Sequence, residues 1–182
     1  VVNDLQYQDT NGDGEIDNRD RVRLDKSSTP EIILGTQISM GYKNFDVGIL
    51  LQGQANAWRY YWFPQGLFGN VLQEMAENRP TPDNPNSKYP NLTYDNSQVS
   101  ALNSEFWLKD ASFIRLKNVE IGYTLPVELL DKIGLTGSRI YVNGFNLITI
   151  DKLKWFDPEG DASRGEFYPQ NKIFNVGINV TF

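Results

Sequence analysis

The chain has 182 residues and a net charge of −6, from 17 basic and 23 acidic side chains, which argues against a nucleic acid as partner. It contains no histidine and no cysteine, which excludes disulfides, thiol nucleophiles and the usual zinc sites. Aromatic residues make up 13%, and no apolar run reaches the 18 or so residues of a membrane-crossing helix, a limit that does not apply to the weaker, alternating signal of a barrel strand.

The opening, VVNDLQYQDT, has no basic flank followed by an apolar stretch and does not read as a signal peptide. An acidic segment follows, DTNGDGEIDNRD at residues 9–20, with the spacing of an EF-hand loop. Asp9, Asn11, Asp13, Asp17 and Asp20 put side-chain oxygens at positions 1, 3, 5, 9 and 12, and Glu15 would add a backbone carbonyl. Gly14 stands where such a loop turns sharply. Calcium, a hard cation that takes six to eight oxygens, is the metal this pattern would suit, in a structural role. The pattern departs at Asp20, which reaches less far than the usual glutamate, and no helix pair flanks the loop.

Residues 32–42 alternate: Ile32, Leu34, Thr36, Ile38, Met40 and Tyr42 share one parity, and Ile33, Gly35, Gln37, Ser39 and Gly41 the other. Residues 45–53 alternate too, and only Lys43 and Asn44 separate the two runs, which predicts a tight hairpin. A long segment, 54–109, follows. It carries an aromatic cluster, Trp58, Tyr60, Tyr61 and Trp62; with Trp155 further on, these are the residues able to stack on a ligand, although packing would use them equally well. A third strand is expected over 113–124, with a parity shift near Lys117 and Asn118 that suggests a bulge. Pro126 and Gly134 bracket a short helix before a fourth strand at 139–150, whose alternation blurs from Gly144 to Leu147. A loop over 151–171 carries Asp157, Glu159 and Asp161, which could be proposed as paired acids, but no motif supports an enzyme. The fifth strand, 172–182, alternates most cleanly and ends on Phe182.

Strands of about 9–11 residues match the length of a tilted membrane-spanning strand. The polar parity is rich in Gly, Asn, Gln, Ser and Thr, as a hydrated lumen would be, and Tyr42, Phe45, Tyr123 and Phe182 cluster where an interfacial girdle is expected. Long connections alternate with short ones, which predicts an all-β, antiparallel transmembrane barrel segment with long extracellular loops at 9–30, 54–109 and 151–171. A soluble, secreted β-sandwich binding module with a calcium-stabilised loop is the alternative, since sandwich strands also alternate.

Five stretches in order, DTNGDGEIDNRDRV, TPEIILGTQISMGYKNFDVGILLQG, FWLKDASFIRLKNVEIGYTLP, SRIYVNGFNLITI and YPQNKIFNVGINVTF, closely resemble the C-terminal region of SusC/RagA-type TonB-dependent outer-membrane transporters. The resemblance covers nearly all of residues 1–182. It implies that these strands are the last five of a barrel of about 22. It also implies a plug and TonB contact elsewhere in the protein, outer-membrane lipid around the wall, and a SusD-like lipoprotein as partner. The implied function is uptake of oligosaccharides or peptides through the outer membrane of a Gram-negative bacterium. Phe182 would be the terminal aromatic of the barrel-assembly signal. Neither plug nor TonB box is readable here, so these residues are expected to be one portion of such a transporter.

Overall fold

A computed structural model describes residues 5–61, 72–90, 103–153, 156–160 and 167–182. They fall in two compact units: one from residues 1–26 and 59–109, the other mainly from residues 27–58, 110–160 and 167–182. Among the described residues no helix is long and apolar enough to cross a membrane.

The second unit is built on one antiparallel sheet. Its strands are β1 (Ile32–Tyr42), β2 (Phe45–Ala55), β5 (Phe113–Thr124), β6 (Gly137–Asp151) and β7 (Ile173–Thr181), and they lie in that order across the sheet. Each pairs with its neighbour in sequence, apart from the excursion between β2 and β5, so the sheet is an up-and-down meander. Two residues, Lys43 and Asn44, turn β1 into β2, with Lys43 at a φ of 53°, a left-handed conformation suited to the twist of a tight hairpin. β5 and β6 are joined by α2 (Val127–Leu130) and a single 3-10 turn (Asp131–Ile133), stopped at Gly134 by its φ of 72°.

Register decides which side chains share a face, because directly opposed residues point the same way. Ile38 faces Ile49, Ile49 faces Val119, Ile121 faces Val142, and Val142 faces Val176. One face is therefore almost entirely apolar from edge to edge. The other carries Asp46, Gln52, Arg115, Glu120, Arg139, Asn143, Asn175 and Asn179. The β2–β5 and β5–β6 ladders both slip beside Lys117, where the parity shift predicted a bulge. Asn146, at a φ of 53°, sits where the alternation of β6 blurred.

The apolar face is not a core. Val176 is 79% exposed and Phe174 74%, and Met40, Ile114, Ile121, Ile148 and Ile150 are exposed as well. A water-soluble sandwich would hide these side chains against a second sheet. Among the described residues, the outer edges of β1 and β7 have no partner strand, and the five strands do not close.

A smaller sheet, formed by β3 (Trp58–Tyr60) with β4 (Leu108–Asp110), falls mainly in the first unit, which also holds a one-turn helix, α1 (Gln73–Glu77). The segment 54–109 is thus not a plain loop. Tyr61, Met75, Tyr89 and Trp107 are buried, and the Tyr89 hydroxyl donates to Glu74 at 2.7 Å.

Candidate functional site

The polar face of the five-stranded sheet holds two ionic clusters, one near each end of the strands. The first lies towards the short turns. Arg139 on β6 donates from Nε to Oδ1 of Asp46 at 2.9 Å, and from Nη2 to Oδ2 of Asp46 and to Oε1 of Glu120, the latter at 2.8 Å. Asn143 donates to Glu120 at 3.3 Å and accepts from Asn175 at 2.9 Å. The chain of side chains therefore runs across the sheet from β2 to β7. Arg139 also stacks over Tyr141, 5.2 Å from the ring centroid. A Cβ at Gly177 would overlap the Tyr141 ring, so this strand position needs glycine to let the aromatic lie flat across it.

The second cluster lies at the other end. Arg115 on β5 is 1% exposed. Its Nη2 donates to Oδ1 of Asp157 at 2.8 Å, its Nη1 to Oε2 of Glu159, and its Nε to the Thr149 hydroxyl at 2.9 Å. The guanidinium also lies over Phe113, 5.3 Å from the ring centroid. Lys117, from the bulge, donates to Glu159 at 3.2 Å, as does the Gln52 amide. Two cations thus meet two carboxylates, and every charge of the group is paired, which is the condition for burying it. The segment 156–160 rests on the sheet as a strap, with Pro158 fully buried. Burial works to raise the Asp157 pKa, but Arg115 and the N–H groups of Glu159 and Gln170 outweigh it and hold the carboxyl below its ordinary value.

Asp157 and Glu159, two of the loop acids that no motif makes catalytic, are the ionic partners of Arg115. Arg115 has no signal of its own in the sequence, because its acidic partners lie 42 and 44 residues away in an aperiodic loop. Asp161 lies outside the described residues.

The acidic loop is ordered by its own backbone. Asp9 accepts from the N–H groups of Gly12 and Gly14 at 2.6 and 2.7 Å, Asn11 from Asp13 at 2.8 Å, and Asp13 from Glu15 at 2.9 Å. Asp20 accepts from Thr10 and Asp17, each at 2.8 Å, and these N–H donors keep its pKa low. Arg19 pairs with Asp13 at 2.8 Å, with Asp17 at 2.9 Å and with Glu15 at 3.5 Å. Its hydrogen bond likewise lowers the Asp17 pKa. Among the described residues no three acids converge as a metal cage. In this arrangement the Arg19 guanidinium neutralises two of the carboxylates, Asp13 and Asp17, that a calcium ion in this loop would use.

Of the aromatic candidates, Tyr61 is 3% exposed and packed away. Tyr60 is half-buried, and its hydroxyl donates to Asn103 at 3.3 Å and accepts from the Ser104 N–H at 3.4 Å. Trp58 is half-buried as well. Trp62 and Trp155 lie outside the described residues. Of the aromatics expected to form a girdle, Phe45 and Tyr123 pack at 4.6 Å between centroids, and Tyr42 lies across from Phe45. Phe182 is at the same end, just past Thr181, and is 89% exposed.

No family model matches the chain. A TonB-dependent receptor of Formosa agariphila, P26, is 34% identical over 200 aligned residues, covering 100% of this chain and 20% of the relative. The TonB-dependent receptor SusC of Bacteroides thetaiotaomicron is 26% identical over 97% of this chain and 17% of its own length. Among solved structures, the RagAB peptide transporter superposes with a TM-score of 0.74 at 29% identity, over 92% of this chain and 19% of that one. The RagAB peptide importer in a closed-closed state covers 99% of this chain and 21% of its own, with a TM-score of 0.73. The chain spans about a fifth of the length of these relatives.

Proposed function

From the premise that the chain belongs with the SusC/RagA-type TonB-dependent receptors, we propose that its five-stranded sheet is part of the barrel wall of an outer-membrane importer. The observation that carries this reading is the division of the sheet. One face bears exposed Met40, Ile121, Val142, Phe174 and Val176, while the other bears the Asp46–Arg139–Glu120 and Arg115–Asp157–Glu159 clusters. In a bilayer the first face meets hydrocarbon and the second an aqueous interior. The unpaired edges of β1 and β7 would then continue into further strands, since lipid tolerates no open edge.

In this reading the ends carrying the long connections face outward. The transported solute is an oligosaccharide or a peptide; the RagAB structures are of a peptide importer, which supports the second. A SusD-like lipoprotein would meet the outer loops, TonB would act through the plug, and Trp58, Tyr60, Trp62 and Trp155 would be the aromatic surface near the solute, with the buried Tyr61 packing beneath them. Phe182 would serve as the barrel-assembly signal. Calcium in the acidic loop, at Asp9, Asn11, Asp13, Glu15, Asp17 and Asp20, would have to displace Arg19. The soluble sandwich is disfavoured by the bare apolar face.

The test is to place single cysteines in the full-length transporter by Val176→Cys and Asn175→Cys, and attach an environment-sensitive fluorophore in lipid vesicles. The expected result is a hydrocarbon-like emission from the first position and a water-like one from the second. Two water-like emissions would overturn the proposal.

A further inference from the structure

The strap at 156–160 is bound to the polar face by charge, and this gives Arg115 a role that the barrel itself does not require. We propose that Arg115 is a positioning residue that latches the strap onto the inner wall, so that the strap rather than bare sheet lines this part of the passage. The latch rests on the reading of the polar face as the inner wall.

Three observations carry it. First, the strap contributes no strand pairing, so the ladder does not hold it; the described polar bonds between strap and sheet come from the side chains of Gln52, Arg115 and Lys117. Second, those bonds converge on the carboxylates of Asp157 and Glu159, which flank the buried Pro158. Third, the strap is shaped to present both carboxylates at once. The Asp157 carboxylate accepts from the N–H of Glu159 at 3.0 Å, and the Asp157 carbonyl from the N–H of Gly160 at 2.9 Å. A Cβ at Gly160 would come within 3.0 Å of that carbonyl and 2.8 Å of the Phe167 ring, so the turn needs glycine.

A fork of donors is what two carboxylates on one tight turn demand, and arginine alone supplies it with a further N–H left for Thr149. A lysine at this position could satisfy one carboxylate and would leave the other buried and poorly paired. Lys117, 28% exposed, secures Glu159 from the open side. Removing either carboxylate leaves buried positive charge behind, which opens the strap more strongly than losing one hydrogen bond would.

The experiment uses the full-length transporter in native outer membranes. Pro158→Cys gives a thiol under the strap, and Tyr168→Cys gives an exposed control, since Tyr168 is 78% exposed. With an impermeant maleimide, the first is expected to label far more slowly than the second. Adding Asp157→Asn with Glu159→Gln should speed labelling at position 158 roughly a hundredfold and leave position 168 unchanged. Arg115→Lys should fall between. Amide exchange at Glu159 and Gly160 reads the same opening with Pro158 intact. Equal labelling at 158 and 168 before the latch is removed, or continued protection after it, overturns the proposal. Loss of the heat-modifiable barrel band in the latch variants also overturns it, because the cluster would then be holding the sheet and not the strap. The bilayer test of Val176 and Asn175 reads the orientation of the wall independently of this result.

Discussion

Arg139 on β6 reaches Asp46 on β2 at 2.9 Å, passing over β5, the strand that separates them. The residue on β5 directly opposite Asp46 is Gly122, and a Cβ there would overlap the guanidinium. The glycine therefore makes room for a brace between strands that are not neighbours. Gly122→Ala is expected to push Arg139 off Asp46, and Asp46→Asn to weaken the same bond directly. Both should lower the unfolding temperature of the full-length barrel, and the double variant should fall short of the sum. Additive losses would show that the glycine and the brace are unrelated.

The two faces of β7 should respond oppositely to charge. Val176, near the middle of the strand, is 79% exposed on the apolar side. Val176→Arg should cost about 2–4 kcal/mol in reversible unfolding from lipid vesicles, as a lipid-facing cation near the midplane does. Asn175→Arg, one residue away on the polar side beside Asn143, should cost far less. Similar losses at both positions would contradict the membrane assignment.

The sheet was legible because pleating has a period of two, so strand, face and register follow from parity. The bulge near Lys117 was legible for the same reason, as a break in parity. What parity cannot convey is which distant charge meets which. Arg115 sits on the polar parity like Gln52, and nothing local distinguishes a cation that anchors a strap 42–44 residues away. The acidic loop shows a different limit of sequence reading. Its spacing was legible, but the counter-charge, Arg19, lies inside the motif, and an oxygen count takes no account of it.

The strap should come loose in acid. Burial favours the neutral form of Asp157, but its bonds to Arg115, Glu159 and Gln170 prevail, so its folded pKa lies below that of the released segment. A depressed carboxylate contributes fully above the released value, about 4, and its contribution is lost as pH falls through the lower, latched value. Amide exchange at Glu159 and Gly160, corrected for intrinsic rates, should show constant protection through the neutral range and a decline only below about pH 4. Asp157→Asn should flatten that decline. Protection that grows on acidification would show that the carboxylate is not what holds the strap.

The acidic loop offers a competition between two cations. Arg19 is bonded to Asp13 and Asp17, and both carboxylates belong to the set that calcium would need. The backbone of the loop is already turned, with Asp9 capping Gly12 and Gly14, so binding would require the guanidinium to swing away more than it would require refolding. If calcium is a ligand here, Arg19→Ala removes its competitor and should tighten binding from the millimolar to sub-millimolar range, of order 10⁻³–10⁻⁴ M, towards lower concentrations. Asp13→Ala should abolish it. Calorimetric titration of the full-length protein with calcium chloride, repeated after chelator, separates the cases. Heat that is absent both with Arg19 and in the Arg19→Ala variant would mean that the loop takes no calcium even without its competitor, and that the EF-hand-like spacing serves only to build the turn.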